Sequence, residues 1–188
     1  MFKDPILNKL AKKYGAHIFE DRSNRLYEEL IESIISQQLS IKAANTIYSR
    51  FLKLFGNRYP SPKKLLETDN EKLRSAGMSY SKANYIKNIA HAFENKHLET
   101  EKIKKMSDEE ATKELTKIKG VGQWTSEMTL IFTLKRPDIF SLGDAGLRRA
   151  IKNLYKIEND KDILNLAETW KPNRSLACWY LWRSLEND

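Results

Sequence analysis

Hydrophobic residues recur at steps of three and four along almost the whole chain. This spacing places apolar side chains on one face of an α-helix. Only 7 glycines and 5 prolines punctuate the 188 residues, and no low-complexity tract or glycine/serine linker is found. The chain is therefore predicted to be all-α. The clearest helical runs are Leu26, Leu30, Ile31, Ile34, Ile35 and then Ile47, Phe51, Leu54, Phe55 before Gly56.

Capping residues mark several helix starts. Ser61-Pro62 joins a good N-cap to a proline suited to the first helical position. Thr68-x-x-Glu71 and Ser107-x-x-Glu110 both fit the capping box, in which a hydroxyl and a carboxylate each bind a backbone N–H of the other residue. We expect a helix to begin at all three places.

The most informative segment follows the last of these boxes. A first helix is predicted to end at Lys119, because Gly120 readily adopts the left-handed conformation that ends helices. Gly122 lets the backbone approach a ligand closely, and a second helix is expected to begin at Gln123 or Trp124. Unpaired N–H groups and the positive end of the helix dipole then face outward. The hairpin is a candidate anion site.

The charge balance indicates the kind of anion. The chain has 33 Lys and Arg against 25 Asp and Glu, a formal net charge of +8. Together with the hairpin, this excess favours a nucleic acid as the partner. No apolar run approaches the roughly 20 residues of a membrane span, and the opening MFKDPILNKLAKKYG lacks the apolar core of a signal peptide. We expect a cytoplasmic, nucleoid-associated monomer without membrane contact.

Few residues are available for metal or redox chemistry. Cys178 is the single cysteine, so one chain cannot form a disulfide, a thiolate zinc site or an iron–sulfur cluster. Its apolar neighbours predict a buried structural thiol. His17, His91 and His97 lie at no ligand spacing and are predicted at the surface. We expect no required cofactor.

Four segments together form a more specific pattern than the hairpin alone. They are IISQQLSIKAANTI (34–47), AGMSYSKANYIKNIA (76–90), IKGVGQWTSEM through FSLGDAG (118–146) and WKPNRSLACWYLWRSL (170–185). In this order and spacing they resemble the helix-hairpin-helix DNA glycosylases of the HhH-GPD superfamily, and within it the 3-methyladenine DNA glycosylase II branch. The resemblance covers the chain from about Leu26 onward.

The resemblance implies a two-lobed helical bundle with a cleft between the lobes and the hairpin at its rim. Residues 1–188 are then one glycosylase domain. A central lobe is expected over about residues 30–110, and residues 1–29 with 111–188 are expected to form the lobe of the hairpin and the catalytic residue. The N-terminal residues are predicted to form an amphipathic helix that packs on the catalytic core.

Asp144 lies where the family carries its catalytic aspartate. Cleavage of an N-glycosidic bond develops positive charge on the sugar, so a carboxylate there lowers the barrier and can orient or deprotonate the attacking water. From the residues alone an N-cap is the simpler role, because Asp144 precedes a helical run from Ala145 to Tyr155. The two roles are compatible, and the resemblance favours catalysis.

Trp124 distinguishes two mechanisms within the family. Bifunctional relatives carry a lysine at this position, which forms a Schiff base with the sugar. Because position 124 holds tryptophan, the resemblance implies a monofunctional glycosylase without AP lyase activity. Lys117 and Lys119 lie on the other side of the glycines, where contact with phosphate or solvent is the simpler account.

Excision from duplex DNA requires the nucleotide to be flipped out and its place to be filled. Gln38, in the polar break between two helical runs, aligns with the side chain that family members insert as a wedge. Its neighbours Gln37 and Leu39 are alternatives. A polar surface turn is the other interpretation of this segment.

Aromatic residues are candidates for the base pocket. Trp124 and Trp182 align with pocket aromatics of the branch, and an indole face attracts a cationic alkylated purine. Tryptophans at helical spacing also pack in cores, which is the role expected for Trp170 and Trp179. Met128 stands where relatives can carry an aromatic residue, so a different pocket shape is expected.

Contacts with the DNA backbone are expected from the hairpin and from basic residues. Arg149, Lys82, Lys87 and Arg174 are further phosphate candidates, although most lysines and arginines only solvate a surface. The resemblance also implies a Na⁺ or K⁺ ion on the main-chain carbonyls of Thr116, Ile118 and Val121. The residues expected at the backbone are Lys119, Gly120, Val121, Gly122, Gln123, Thr125 and Arg148.

The resulting hypothesis is a monofunctional glycosylase that binds double-stranded DNA and excises alkylated purines of the 3-methyladenine and 7-methylguanine type. Two alternatives stay open. One is a glycosylase for oxidised or deaminated bases. Many enzymes of that kind need a lysine in place of Trp124 or a four-cysteine cluster, and this chain has neither. The other is a helix-hairpin-helix module that binds DNA without chemistry, against which Asp144 and the aromatic residues argue.

Overall fold

The computed structural model describes residues 2–186, and every regular element across them is helical. This confirms the predicted fold class. A 3₁₀ turn, Ser23–Arg25, precedes the second helix, and a π-helical turn, Thr129–Thr133, continues the ninth. The α-helices of this part of the chain are α1 (Pro5–Tyr14), α2 (Leu26–Ser36), α3 (Ile41–Lys53), α4 (Pro62–Glu67), α5 (Asn70–Arg74), α6 (Tyr80–Glu94), α7 (Thr100–Ile103), α8 (Asp108–Thr116), α9 (Gln123–Met128), α10 (Ala145–Tyr155), α11 (Asp160–Glu168) and α12 (Arg174–Ser184).

Two of the three predicted helix starts are confirmed. The Ser61 hydroxyl accepts the N–H of Lys64 at the start of α4, and Ser107 and Glu110 form a complete capping box on α8. The box expected at Thr68 is wrong. Thr68 ends α4 and donates its hydroxyl to the carbonyl of Lys64, while Asp69 caps α5 by accepting the N–H of Glu71 at 2.8 Å.

The hairpin differs from the prediction at one end. Helix α8 ends at Thr116 instead of Lys119, because Ile118 and Val121 donate their N–H groups three residues back, to Leu115 and Ile118. These tighter bonds turn the chain before it reaches Gly120, which has φ +111°. The start of α9 at Gln123 agrees with the prediction.

The described residues divide into two compact units. One is Arg22–Thr129, and the other joins the segment that ends at Asp21 to the segment that begins at Leu130. The hairpin thus belongs to the same unit as Gln38, whereas the predicted boundary near residue 110 separated them. The physical reason is local packing: the Asn88 amide of α6 donates to the carbonyl of Lys119, and Gly120 lies against Tyr85 of the same helix.

Within the unit Arg22–Thr129, α6 packs against α2, α4 and α5, and α2 also packs against α3. The apolar run predicted for α2 is buried along its whole length. Full burial of each such Leu or Ile side chain contributes about 1.5–3 kcal/mol relative to exposure. The core of this unit therefore holds the ends of α2 and α6 in place.

In the second unit, α12 packs against α1 and α10. Leu7 and Leu10 of α1 are buried in this core, so the N-terminal amphipathic helix packs as predicted. Cys178 is also fully buried, as expected for a structural thiol. Asp4 fixes the start of α1: one oxygen accepts the N–H groups of Ile6 and Leu7, and the other accepts the Tyr155 hydroxyl and the Trp170 indole N–H.

Candidate active site

Asp144 is a buried carboxylate at the N-terminus of α10. Its side chain is the N-cap of that helix and accepts the N–H of Leu147 at 2.7 Å. Only 9% of the residue is exposed. The predicted capping role is thus confirmed, and the carboxylate is held by backbone that starts a regular helix.

Trp182 of α12 is a second donor to the same carboxylate. Its indole Nε1–H donates to Asp144 Oδ1 at 2.9 Å. Gly146 leaves the space that this contact needs. A Cβ at Gly146 would lie 3.0 Å from Asp144 Oδ1 and 3.2 Å from Trp182 Cδ1, which is tighter than ordinary contact. The site therefore depends on a residue without a side chain at the first turn of α10.

An aromatic row extends from Trp182 within the same unit. The ring of Phe132 lies 5.7 Å from that of Trp182, and the ring of Phe19 lies 5.7 Å from Phe132. Phe132 is partly exposed, which is unusual for a phenylalanine inside an apolar run. It is missing from the predicted pocket because TLIFTL has the pattern of a core helix. Only its exposure identifies it as a candidate.

In the hairpin, the backbone at Gly120 lies close to the ring of Tyr85. An ideal Cβ at Gly120 would lie 2.4 Å from Cγ of Tyr85. The residue must therefore be glycine for two reasons, its positive φ and its contact with Tyr85. Lys119, beside it, is exposed, so this lysine is placed where a phosphate can reach it.

The second hairpin helix, α9, begins without a side-chain cap. Gly122 is its N-cap and has no side chain to bind the N–H groups of the first turn. Gln123 is exposed and donates its side-chain amide to Glu127 at 2.7 Å. Trp124 is 44% exposed, which differs from a core tryptophan such as Trp170 at 1%. The first turn of α9 thus has no side-chain cap, and two of its side chains are exposed.

Three other hairpin residues are less accessible than expected. Val121 is buried, and Thr125 is 3% exposed with its hydroxyl accepting the Gln37 side-chain amide. These two can reach DNA only through their main chain. Met128, the last residue of α9, is half-buried.

The three wedge candidates have different surroundings. Gln38 is exposed and has φ +56°, a left-handed conformation that is uncommon outside glycine. Leu39 is exposed next to it. Gln37 instead turns its amide inward to Thr125 at 3.1 Å. The surroundings favour Gln38 or Leu39 over Gln37.

Two of the basic residues proposed to contact phosphate form hydrogen bonds to other groups of the protein. Lys82 donates to the carbonyls of Ile35 and Gln37, and Arg174 forms a double contact with the carboxylate of Asp138. Both cations thus have partners within the protein, and their contact with phosphate stays a prediction. Arg148 keeps part of its surface exposed and pairs with Asp160 at 2.8 Å.

No group of three or more His, Cys, Asp or Glu side chains within residues 2–186 is arranged to hold a metal ion. His91 and His97 are exposed, as predicted. His17 is not a free surface residue, because its ring stacks on Trp179 at 4.0 Å, and burial lowers its pKa. Within the same described residues, none of the helices has the length and apolar character of a membrane span.

Comparison with known proteins places these features in a family. The model of the HhH-GPD superfamily of base excision DNA repair proteins matches residues 31–173. DNA-3-methyladenine glycosylase 1 of Schizosaccharomyces pombe is 39% identical over 163 residues, which are 84% of this chain and 72% of that protein. The chain therefore belongs to the HhH-GPD superfamily, in its 3-methyladenine DNA glycosylase branch, as the sequence motifs predicted.

Solved structures of the same branch share the fold. A DNA-3-methyladenine glycosidase of Bacillus halodurans superposes with a TM-score of 0.84 and 35% identity, covering 97% of this chain and 85% of that one. A 3-methyladenine DNA glycosylase of Schizosaccharomyces pombe in complex with abasic DNA gives a TM-score of 0.86 and 34% identity, covering 99% and 95%. The similarity thus extends over nearly the whole chain.

Proposed function

We propose that the protein is a DNA glycosylase that flips alkylated purines of the 3-methyladenine and 7-methylguanine type out of duplex DNA. It then hydrolyses the N-glycosidic bond, the first step of base excision repair. The observation that carries this proposal is the buried carboxylate of Asp144, fixed by the N–H of Leu147 and the indole of Trp182. Relatives named as 3-methyladenine DNA glycosylases, one of them solved in complex with abasic DNA, support it.

Asp144 stabilises the transition state. As the bond to the base breaks, the sugar gains positive charge, and a fixed carboxylate in a site of low water content interacts strongly with that charge. The same carboxylate orients or deprotonates the water that attacks the sugar. No reorganisation of Asp144 is needed during the reaction, because two donors already fix it.

Recognition of the base rests on aromatic faces. Alkylated purines of this type carry positive charge, which an electron-rich ring attracts by about 0.5–2 kcal/mol depending on desolvation. Trp182 and Phe132 are proposed to contact the base, since the Trp182 indole binds the carboxylate and the Phe132 ring lies 5.7 Å from the Trp182 ring. Trp124 and Met128 are proposed as further pocket residues on the basis of the family resemblance.

The hairpin and the turn at Gln38 are proposed to hold the DNA. Lys119 and the backbone at Gly120, Gly122 and Gln123 bind phosphates, and Arg148 adds a further contact. Gln38, with Leu39 beside it, fills the space left by the flipped nucleotide. Each true phosphate contact should contribute about one unit to the slope of log affinity against log salt.

A monovalent cation, Na⁺ or K⁺, is proposed at the same hairpin. The carbonyls of Thr116, Ile118 and Val121 supply the oxygen donors that hard cations take. The Ile118 carbonyl accepts the Val121 N–H at 2.9 Å and retains a second lone pair for an ion. A bound ion would add positive charge beside a DNA phosphate.

The enzyme is proposed to be monofunctional. A lyase needs an amine that forms a Schiff base with the sugar, and position 124 holds a tryptophan in place of the lysine of bifunctional relatives. The enzyme should leave an intact abasic site. Efficient covalent trapping of protein on DNA by borohydride would contradict this part of the proposal.

One experiment tests the activity. The protein is incubated with methylated duplex DNA, and the released bases are separated by chromatography. We expect free 3-methyladenine or 7-methylguanine from the native protein and none from Asp144→Asn, which keeps a good N-cap and should bind DNA with nearly unchanged affinity. Release of no methylated base would reject the proposed activity, and full activity of Asp144→Asn would reject the assigned residue.

A further inference from the structure

The turn that presents Gln38 is held in an unusual backbone conformation. Gln38 has φ +56°, which residues with a side chain adopt rarely and at a cost in energy. Such a conformation persists only where the surroundings determine it. The residues that hold Gln37 and the end of α2 therefore decide where the Gln38 side chain lies.

Lys82 of α6 is one of these residues. Its ammonium donates to the carbonyl of Ile35 at 2.8 Å and to that of Gln37 at 2.7 Å. Both carbonyls lie at the C-terminal end of α2, where the last carbonyls of a helix have no partner within it. Two of the three donors of Lys82 are thus used on the turn itself. Partial burial lowers the pKa of this lysine.

Thr125 of α9 holds the same turn from another side. The side-chain amide of Gln37 donates to its hydroxyl at 3.1 Å, across 88 residues of sequence. Thr125 is buried, and its main-chain carbonyl accepts the Thr129 hydroxyl, so the residue that carries the accepting hydroxyl is held within the helix. Gln37 is therefore bound through its main chain by α6 and through its side chain by the second hairpin helix.

We propose that Lys82 and Thr125 are positioning residues for the DNA wedge: by clamping Gln37 they hold Gln38 in its left-handed, exposed conformation before DNA binds. We name the three residues Lys82, Gln37 and Thr125 the brace. Because Thr125 lies on the hairpin helix α9, the brace also fixes the wedge relative to the segment that binds phosphate. This inference rests on the proposed function, since it assigns the means by which that enzyme flips its substrate.

Pre-organisation is the physical benefit of the brace. A side chain already held in its working conformation loses less conformational freedom when it enters the duplex. The brace should therefore matter where a paired, stacked base must be displaced. It should matter little for a lesion in single-stranded DNA, where no partner strand has to be separated.

The test compares duplex with single-stranded substrate. Lys82→Met removes both hydrogen bonds and retains the apolar stem. We expect the single-turnover rate of excision from duplex to fall roughly ten- to hundredfold, the size of effect known for small misplacements of functional groups. Excision of the same lesion from single-stranded DNA should change little. Lys72→Met, an exposed lysine of α5, is the matched control and should leave both rates unchanged.

A salt titration separates the brace from a phosphate contact. If Lys82 positions the wedge, the slope of log affinity against log salt should equal that of the native protein. A slope reduced by about one would mean that Lys82 binds a phosphate, and it would overturn the proposal. An equal fall of the duplex and single-strand rates would overturn it too, because it would indicate a general structural role.

Thr125→Val provides an independent variant with nearly the same shape. It removes the acceptor of the Gln37 amide, and we expect the same loss on duplex DNA alone. Combined with Lys82→Met, it should cost less than the product of the two separate effects, because both act through Gln37. This variant decides the question if Lys82→Met fails to fold.

A measurement of base flipping that does not depend on bond cleavage distinguishes failure of this inference from failure of the proposed activity. Duplex DNA with 2-aminopurine beside the target nucleotide fluoresces more strongly when the stack is opened. The native protein should raise this signal and Lys82→Met should not, whether or not a base is released. Equal signals from both proteins would overturn the brace, whereas absence of base release by the native protein would overturn only the activity.

Discussion

Trp182 donates its indole N–H to Oδ1 of Asp144 at 2.9 Å, and the N–H of Leu147 reaches the same oxygen at 2.7 Å. An N-cap aspartate normally has only the donors of its own helix. Here a residue of α12 supplies another donor, so the orientation of the carboxylate depends on the packing of α10 against α12. The hydrogen bond links the residue proposed for catalysis to one proposed for base recognition.

Trp182→Phe tests the hydrogen bond separately from the ring. Phenylalanine retains an aromatic face beside Phe132 and loses the N–H. A hydrogen bond to a charged group is worth about 1.5–3 kcal/mol, so we expect the rate of excision at saturating DNA to fall by about ten- to a hundredfold. The dissociation constant for DNA should change little. A native rate would show that Trp182 does not orient Asp144.

Gly146→Ala tests the space around the carboxylate. Alanine is favoured over glycine in a helix by about 1 kcal/mol, but its Cβ would lie 3.0 Å from Asp144 Oδ1. We expect the rate of excision to fall while the melting temperature does not. Gly143→Ala is the matched control, because nothing lies within 4 Å of a Cβ placed there. Equal activity of the two variants would argue against a steric role for Gly146.

Phe132→Leu tests the aromatic row. Leucine has a similar apolar size but no ring face for a cationic base. We expect the ratio of kcat/KM for 7-methylguanine over neutral hypoxanthine to decrease, whereas the melting temperature should change only slightly since Phe132 is partly exposed. An unchanged ratio would place Phe132 outside the pocket.

Gly120→Ala should disrupt the hairpin. The new Cβ would lie 2.4 Å from the Tyr85 ring in a backbone with φ +111°. Strain of this kind costs about 1–3 kcal/mol, and we expect a lower melting temperature with weaker binding to undamaged duplex DNA. Adding Tyr85→Ala removes the ring but leaves the Cβ of residue 85, 2.6 Å from the new methyl, and the positive φ. We therefore expect only partial recovery, and its size measures the ring contact.

Cys178 should be unreactive in the folded protein. Burial raises the pKa of its thiol well above the usual range, so the reactive thiolate is not formed at neutral pH. We expect a thiol reagent at pH 8 to label the chain only after denaturation. Rapid labelling under native conditions would mean that the core around α12 opens readily.

Local features of this protein follow from its sequence. The apolar runs of α2 and α3, the caps at Ser61 and Ser107 and the capping role of Asp144 depend on residues within a few positions of one another. Helical periodicity and side-chain capping act over that range. The family motifs added the assignment of Asp144 as the catalytic candidate.

The contacts that define the site are long-range, and only the tertiary structure decided them. Trp182 lies 38 residues from Asp144, and Gln37 lies 88 residues from Thr125. No periodic pattern predicts such pairs, because they arise where separate helices pack. The same reason explains why Lys82 binds two carbonyls and why the hairpin joins the unit of Gln38. The sequence determined the helices and the catalytic candidate, and helix packing decided which side chains hold them in position.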